Sequence, residues 1–301
     1  MARIIGSPSR YIQGKGTLAE ITKYTERLGK KLLILVSKSG KKRVEEKINK
    51  AVEGTDTTVV WEIFNGECSK SEVNRIGEIL KKEKCDIVVG IGGGKILDTA
   101  KAVAYYEDIA VVCVPTAAST DAPCSALSVL YTDDGQFDEY LWLPANPDII
   151  LLDTDIIVAA PVRLIVSGMG DALATYFETR ACMRSNTTSC MGGSVSKTAM
   201  ALSELCFKTL MEDGAKALLA VNAGACTPAV ENIIEANTYL SGIGFESGGI
   251  AAAHAIHNGL TCIEETHGMY HGEKVAFGVL SQLVLENVST EDLEEVVEFC
   301  I

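Results

Sequence analysis

The 301-residue chain has no apolar run of membrane-spanning length, no CxxC pair, no internal repeat and no low-complexity tract. Its opening Met-Ala-Arg-Ile-Ile-Gly lacks the apolar core of a signal peptide. Positive charge is scarce as well: 27 Lys and Arg stand against 40 Asp and Glu, a formal net charge of −13. Each absence removes a class of function. Without a long apolar run no helix is expected to span a membrane. The deficit of basic residues argues against a nucleic-acid surface and against docking on anionic lipid. The ten cysteines are scattered, several of them (Cys113, Cys206, Cys226) in apolar segments, and make no disulfide framework. That usage points to a reduced, cytoplasmic protein. Histidine is rarest of the informative residues, with four copies, yet His254, His257, His267 and His271 all fall in one window. An even scatter would need no explanation; the cluster does.

What is present is ordinary for a globular protein, 47% hydrophobic and 22% charged, and long enough for two domains. In the first half, strand and helix patterns alternate. Apolar or β-branched runs at 32–36, 57–63, 86–89, 109–114 and 148–152 read as strands. Amphipathic segments at 42–52 and from a Ser71 cap to Lys82 read as helices. Repeated strand–helix units predict a Rossmann-like parallel sheet with helices on both faces, and ligands in such sheets bind at the carboxyl ends of the strands. Asp133-Asp134-Gly135, between apolar runs at 125–130 and 137–143, predicts a hairpin. Beyond Thr154 helical patterns dominate, at 168–183, 194–211, 228–240 and 248–260. The expected organisation is an α/β domain over residues 1–160 and an all-α domain over 161–301, with the active site in the cleft between them.

The α/β half is organised around Gly90-Ile91-Gly92-Gly93-Gly94-Lys95-Ile96-Leu97-Asp98. A strand, a glycine corner and a helix in that order turn several backbone N–H groups toward one point at a helix N-terminus, which suits a phosphate or pyrophosphate. The glycines allow close approach and positive φ, and Lys95 adds a point charge. Two common templates fail. A Walker loop needs glycine where Val89 stands and Ser or Thr where Ile96 stands. A dinucleotide fingerprint starting at Gly90 needs glycine or alanine at Lys95. A glycine turn with no ligand is the alternative.

In the helical half, His254 and His257 lie three apart on a predicted helix and therefore share a face. His271 follows after a loop, and Asp171 opens another helix among small neighbours. Two histidines and one carboxylate with open positions form a catalytic zinc-type set. The histidine pair is equally compatible with ordinary surface or core positions.

Together, the Gly-Gly-Gly-Lys corner with Asp98, Pro115-Thr116-Ala117-Ala118-Ser119-Thr120-Asp121, Gly168-Met169-Gly170-Asp171-Ala172-Leu173-Ala174, His254-Ala255-Ile256-His257-Asn258-Gly259 and His271-Gly272-Glu273-Lys274-Val275-Ala276-Phe277-Gly278 resemble the glycerol-oxidising members of the iron-containing, metal-dependent alcohol dehydrogenases. Five motifs in order, from the first strand nearly to the last residue, make the resemblance specific. It implies a dehydroquinate-synthase-like architecture and an NAD-dependent, homo-oligomeric enzyme. That enzyme would oxidise glycerol and other 1,2-diols by metal-assisted hydride transfer, giving dihydroxyacetone from glycerol. By position, Asp171, His254 and His271 would hold one divalent metal, zinc or else Fe2+, and would meet the substrate through it. Asp121 would contact a substrate hydroxyl. Gly93, Gly94 and Lys95 would hold the pyrophosphate, with Asp98 nearby in the cofactor site, while Thr116, Ser119, Ser125, Leu127 and Tyr131 would line the nicotinamide half. His257 would lie near the metal without ligating it, as a proton relay or as packing.

Two departures qualify this. Relatives typically carry Asp where this chain has Ser37, and a carboxylate there would bind the adenosine ribose and repel a 2′-phosphate, so NAD is the expected cofactor with NADP left open. Family members also continue for several helices beyond residue 301, so the helical domain is expected to show exposed apolar surface. Rival expectations are an enzyme like dehydroquinate synthase or glycerol-1-phosphate dehydrogenase, whose phosphorylated substrates need basic residues near the metal, and a cofactor- and metal-binding protein with little turnover.

Overall fold

The computed structural model describes all 301 residues. They divide into two compact units, one of Pro8–Ala117 with Ala122–Ile157 and one of Met1–Ser7, Ala118–Asp121 and Val158–Ile301.

The first unit holds, in chain order, β1 (Arg10–Gly14), α1 (Ile21–Thr25), β2 (Lys31–Val36), α2 (Lys38–Val52), β3 (Thr58–Ile63), α3 (Lys70–Glu83), β4 (Ile87–Gly92), α4 (Gly94–Glu107), β5 (Ala110–Pro115), β6 (Leu127–Tyr131), β7 (Phe137–Trp142) and β8 (Ile149–Asp153). Six strands form one parallel sheet in the order β1-β8-β5-β4-β2-β3. Near-continuous apolar sequence in β2 and β4 reflects burial on both faces. Leu32, Ile34 and Val36 meet Ile87, Val89 and Ile91, with Val44 and Ile48 of α2 closing one side. From β2 the chain runs outward to β3 and then returns past β2 to β4. The strand order therefore reverses at the carboxyl ends of β2 and β4, the usual crevice for a ligand in an open α/β sheet.

Three local features differ from the sequence-based expectation. Helix α3 begins before Ser71; its cap is Ser69, whose extended backbone lets Oγ accept from Glu72 N at 3.3 Å. Strand β1 carries no strong apolar run because it is an edge strand, paired to β8 alone and only half-buried. The hairpin of β6 and β7 forms as predicted, with Gly135 at φ 84° in its turn, but as a separate two-stranded sheet. Buried Lys101 ties that hairpin to α4: its Nζ lies 2.9 Å from Asp98 Oδ1 and donates to the carbonyls of Ala122, at 3.0 Å, and Leu127.

After α5 (Thr154–Val158), the second unit contains α6 (Val162–Ser185), α7 (Lys197–Asn222), α8 (Pro228–Glu235), α9 (Ser241–Gly248), α10 (Ala252–Leu260), α11 (His271–Leu285) and α12 (Thr290–Cys300). Its helices exceed or shift the predicted bounds. The segment predicted as one helix over 228–240 runs on through a π turn at Ala236–Leu240 into α9. Helix α10 starts only at Ala252, because Gly249 at φ 97° breaks the helix before it. No helix is long and apolar enough to cross a membrane.

Residues Ala118–Asp121, which a boundary at 160 assigns to the sheet, belong to the helical unit. Asn237 Nδ2 donates to Ala118 O at 3.0 Å and Ser167 Oγ to Ser119 O at 3.4 Å. Gly168 makes the approach possible, since a Cβ there would stand 2.0 Å from Ala118 O.

Candidate metal centre and cofactor corner

Helices α6, α10 and α11 bring Asp171, His254 and His271 together, with one ligand-capable atom of each within 4.8 Å of the others. Asp171 is fully buried on α6, and its Oδ1 lies 3.0 Å from His271 Nε2 and 3.5 Å from His254 Nε2. These contacts have the distance of ion pairs without the alignment of hydrogen bonds, so Oδ1 is a buried acceptor with no hydrogen-bond partner. An orphaned oxygen facing two ring nitrogens is the arrangement expected of ligands converging on one cation, and the donor set suits a divalent transition metal.

The far ring nitrogens are engaged. His254 Nδ1 is 2.6 Å from Glu178 Oε2. His271 Nδ1 is 2.9 Å from His257 Nε2, and His257 Nδ1 is 3.1 Å from Asn258 Oδ1. Because Asn258 Oδ1 only accepts, a neutral His257 carries its proton on Nδ1 and accepts from His271 at Nε2. Both outer contacts thus leave Nε2 of His254 and His271 as the nitrogens available to a metal. His257 is buried, which together with the neighbouring His271 lowers its pKa to about 4 and keeps it neutral. Burial opposes charge on His254, but Glu178 and Asp171 hold its pKa well above the ordinary imidazole value. Burial likewise pushes against ionisation of Asp171, and the two histidines, His271 foremost, hold its carboxyl well below the usual range.

Asp121 completes this group. Its N–H donates to Asp171 Oδ2 at 3.2 Å, and its Oδ2 accepts from Ser241 Oγ at 2.7 Å. Burial, and next the charge of Asp171, push its carboxyl well above the usual range. His267 stands apart, its Nε2 3.1 Å from Thr261 O.

In the sheet unit, the four glycines of the corner fall into two kinds. A Cβ on Gly90 would stand 2.8 Å from Ala100 Cβ, and one on Gly92 would stand 2.5 Å from Ile96 Cδ1, so packing of α4 against β4 excludes side chains there. On Gly93 and Gly94 a Cβ would meet nothing within 4 Å. None of the four adopts positive φ, contrary to the expectation for the corner; Gly93, the N-cap of α4, is extended at φ −89°. What the absent side chains of Gly93 and Gly94 leave is bare backbone at a helix N-terminus, which fits a dinucleotide's pyrophosphate.

Of the other expected cofactor residues, Ser37 and Thr116 follow neighbouring strands of the sheet. Ser37 comes after β2 and caps α2, accepting from Gly40 N at 3.0 Å; Thr116 comes after β5, with its N–H on Gly92 O at 3.1 Å. Lys95 Nζ lies 2.6 Å from Glu67 Oε2 and 5.2 Å from the Tyr131 ring centroid. Asp98 is turned inward, accepting from Val129 N at 3.1 Å beside Lys101. Ser125 Oγ donates to Ala122 O at 3.1 Å, and Leu127 begins β6. Ser119 alone of this set lies in the helical unit.

Sequence reasoning missed Glu178. It sits seven residues after Asp171 on the same helix, fully buried, and that spacing of two acids along an otherwise apolar face was the available signal.

The family model for iron-containing alcohol dehydrogenases matches residues 8–154. Over 300 residues the chain is 52% identical to glycerol dehydrogenase from Pseudomonas putida, which covers 100% of this chain and 82% of that protein. It superposes on the crystal structure of a probable glycerol dehydrogenase from Sinorhizobium meliloti with a TM-score of 0.92 at 45% identity, over 100% of this chain and 83% of that one. On glycerol dehydrogenase from Schizosaccharomyces pombe the TM-score is 0.95 at 41% identity, over 99% and 76%. The chain belongs to the iron-containing alcohol dehydrogenase family, and is an oxidoreductase acting on alcohol groups.

Proposed function

We propose that this protein oxidises glycerol and related 1,2-diols to the hydroxyketone, with NAD as hydride acceptor and one divalent metal, zinc by preference, held by Asp171, His254 and His271. The observation that carries the reading is Asp171 Oδ1, buried without a hydrogen-bond partner beside two imidazole nitrogens. When bound, the metal supplies a Lewis acid for a substrate hydroxyl, and the nicotinamide supplies the hydride acceptor. Asp171 brings the only charge among the three ligands, so a divalent ion there keeps a net positive charge. Asp121 stands beside the ligand set, anchored to Asp171 and Ser241, and orients a second hydroxyl of a diol. Bare N–H groups at Gly93 and Gly94 hold the pyrophosphate, and Thr116, Ser119, Ser125, Leu127 and Tyr131 line the nicotinamide half.

A phosphorylated substrate fits less well. Arg163 is held by Glu273 through contacts of 2.5 and 2.8 Å, Arg180 lies 3.0 Å from Glu286, and Lys274 is buried. Both arginines are already committed, and the lysine is shut away from solvent.

The test is turnover of zinc-loaded protein with glycerol and NAD, followed at 340 nm, alongside metal stoichiometry for the wild type and Asp171→Asn. Diol-dependent reduction of NAD that disappears together with the bound metal in Asp171→Asn supports the reading. Full activity in a metal-free Asp171→Asn protein overturns it.

A further inference from the structure

Helix α10 starts badly on its own. Its N-cap is Ala251, ahead of Ala252-Ala253, and an alanine N-cap has no side-chain acceptor for the orphan N–H groups of the first turn. The acceptor comes instead from α6. Glu178 Oε1 accepts from Ala251 N at 2.8 Å and from His254 N at 2.9 Å, while Oε2 of the same carboxylate lies 2.6 Å from His254 Nδ1 as its hydrogen-bond acceptor. One fully buried side chain therefore meets three donors, and two of its contacts are to the residue that also faces Asp171.

We propose that Glu178 is the positioning residue of the metal centre: it fixes the first turn of α10, which carries His254, and obliges the ring to keep its proton on Nδ1, leaving Nε2 for the metal. This rests on the metal assignment made above. A carboxylate is required because three donors face it and it has two accepting oxygens and no proton to give. Glutamine has nearly the same shape but one accepting oxygen. With that oxygen on the two backbone N–H groups, its amide N–H₂ points at Nδ1 and favours the tautomer that carries the proton on Nε2, which is the wrong nitrogen. With the amide reversed, two backbone donors face an N–H₂ group. Either way the metal ligand is disordered or blocked.

The experiment compares zinc affinity of the wild type, Glu178→Gln and Glu178→Ala by competition with a chelating dye, with thermal unfolding of the metal-free proteins as a control. Glu178→Gln is expected to unfold within a few degrees of the wild type and to bind zinc about 10–100-fold more weakly, the range found when a carboxylate behind a ligating histidine is lost. Equal zinc affinity in a folded Glu178→Gln protein overturns the proposal and leaves Glu178 as a helix cap only. If the variants do not fold, the zinc-loaded wild type decides: its ¹⁵N-resolved spectrum is expected to show a deshielded proton on His254 Nδ1, and zinc on Nδ1 overturns the assignment. A wild type that binds no zinc at all refutes the metal assignment itself, which is a different outcome from either.

Discussion

The Ser241 hydroxyl donates to Asp121 Oδ2 across 2.7 Å, and both side chains are buried. Thr175 supports the arrangement: its Oγ1 lies 2.8 Å from Ser241 Oγ and, with that hydroxyl committed to Asp121, serves as donor. Ser241→Ala removes the only side-chain donor on Asp121 Oδ2 that the chain supplies through α9. A buried acceptor left without its donor costs about 1–3 kcal/mol. Glycerol kcat/KM is expected to fall about tenfold or more, with bound zinc unchanged because the three ligands are untouched. Unaltered kinetics would dismiss Asp121 as the group that orients the diol.

The glycine corner separates packing from binding at adjacent positions. Gly92→Ala forces a Cβ to within 2.5 Å of Ile96 Cδ1, and overpacking of this kind costs about 1–3 kcal/mol. Gly93→Ala meets nothing, and its extended backbone accepts alanine without strain. The first variant is expected to lower the unfolding temperature. The second is expected to unfold like the wild type while its dissociation constant for NAD rises, because the new methyl occupies the space over the helix N-terminus. Calorimetry and cofactor titration on both variants check the pair; a Gly93→Ala protein with wild-type NAD affinity would remove the corner from the cofactor site.

Ser37 governs the choice between the two nicotinamide dinucleotides if the adenosine ribose lies at the end of β2. Ser37→Asp places a carboxylate where a 2′-phosphate would sit, and is expected to cut the NADP-to-NAD ratio of kcat/KM by about tenfold, which is ~1.4 kcal/mol. No change in that ratio would move the ribose elsewhere.

Alkaline stability follows from the thiols. Burial raises Cys68 and Cys113 to a pKa of about 12, whereas an unfolded thiol titrates near 8.5. Above that value the unfolded chain releases protons that the folded chain keeps, so stability is complete below about pH 8.5 and declines as pH rises toward 12. The slope is up to about 1.4 kcal/mol per pH unit for each thiol. Unfolding temperatures between pH 8 and 10 should fall, and less steeply in Cys113→Ala. The same burial predicts that iodoacetamide modifies exposed Cys226 and Cys262 long before either core thiol.

Much of this molecule is legible in its sequence because its signals are local. Strands β2 and β4 announce themselves as apolar runs, and the corner that follows β4 is marked by glycines whose reasons the structure divides between packing and open space. His254 and His271 stand out because histidine is rare and clustered here, whereas their grouping with Asp171, from three separate helices, rests on the family resemblance. What escaped depends on distant partners. Glu178 gives no local motif, since its three donors lie more than seventy residues away. The cap of α3 moved from Ser71 to Ser69 because either serine satisfies the pattern and only backbone extension at Ser69 decides. The join of α8 to α9 was hidden by the π turn, which shifts the helical periodicity on which the reading relied.

The four residues Ala118–Asp121 have a consequence for how such a protein can be inherited or rebuilt. The helical unit is not a contiguous stretch of gene: beyond Val158–Ile301 it draws Asp121 from within the coding span of the sheet unit. A recombination that exchanged everything after residue 160 between two relatives would split the hydrogen-bonded pair Asp121 and Ser241 between two parents. Chimeras joined there would have to match at both positions, so the modular seam drawn by secondary structure is not the seam along which the site can be traded.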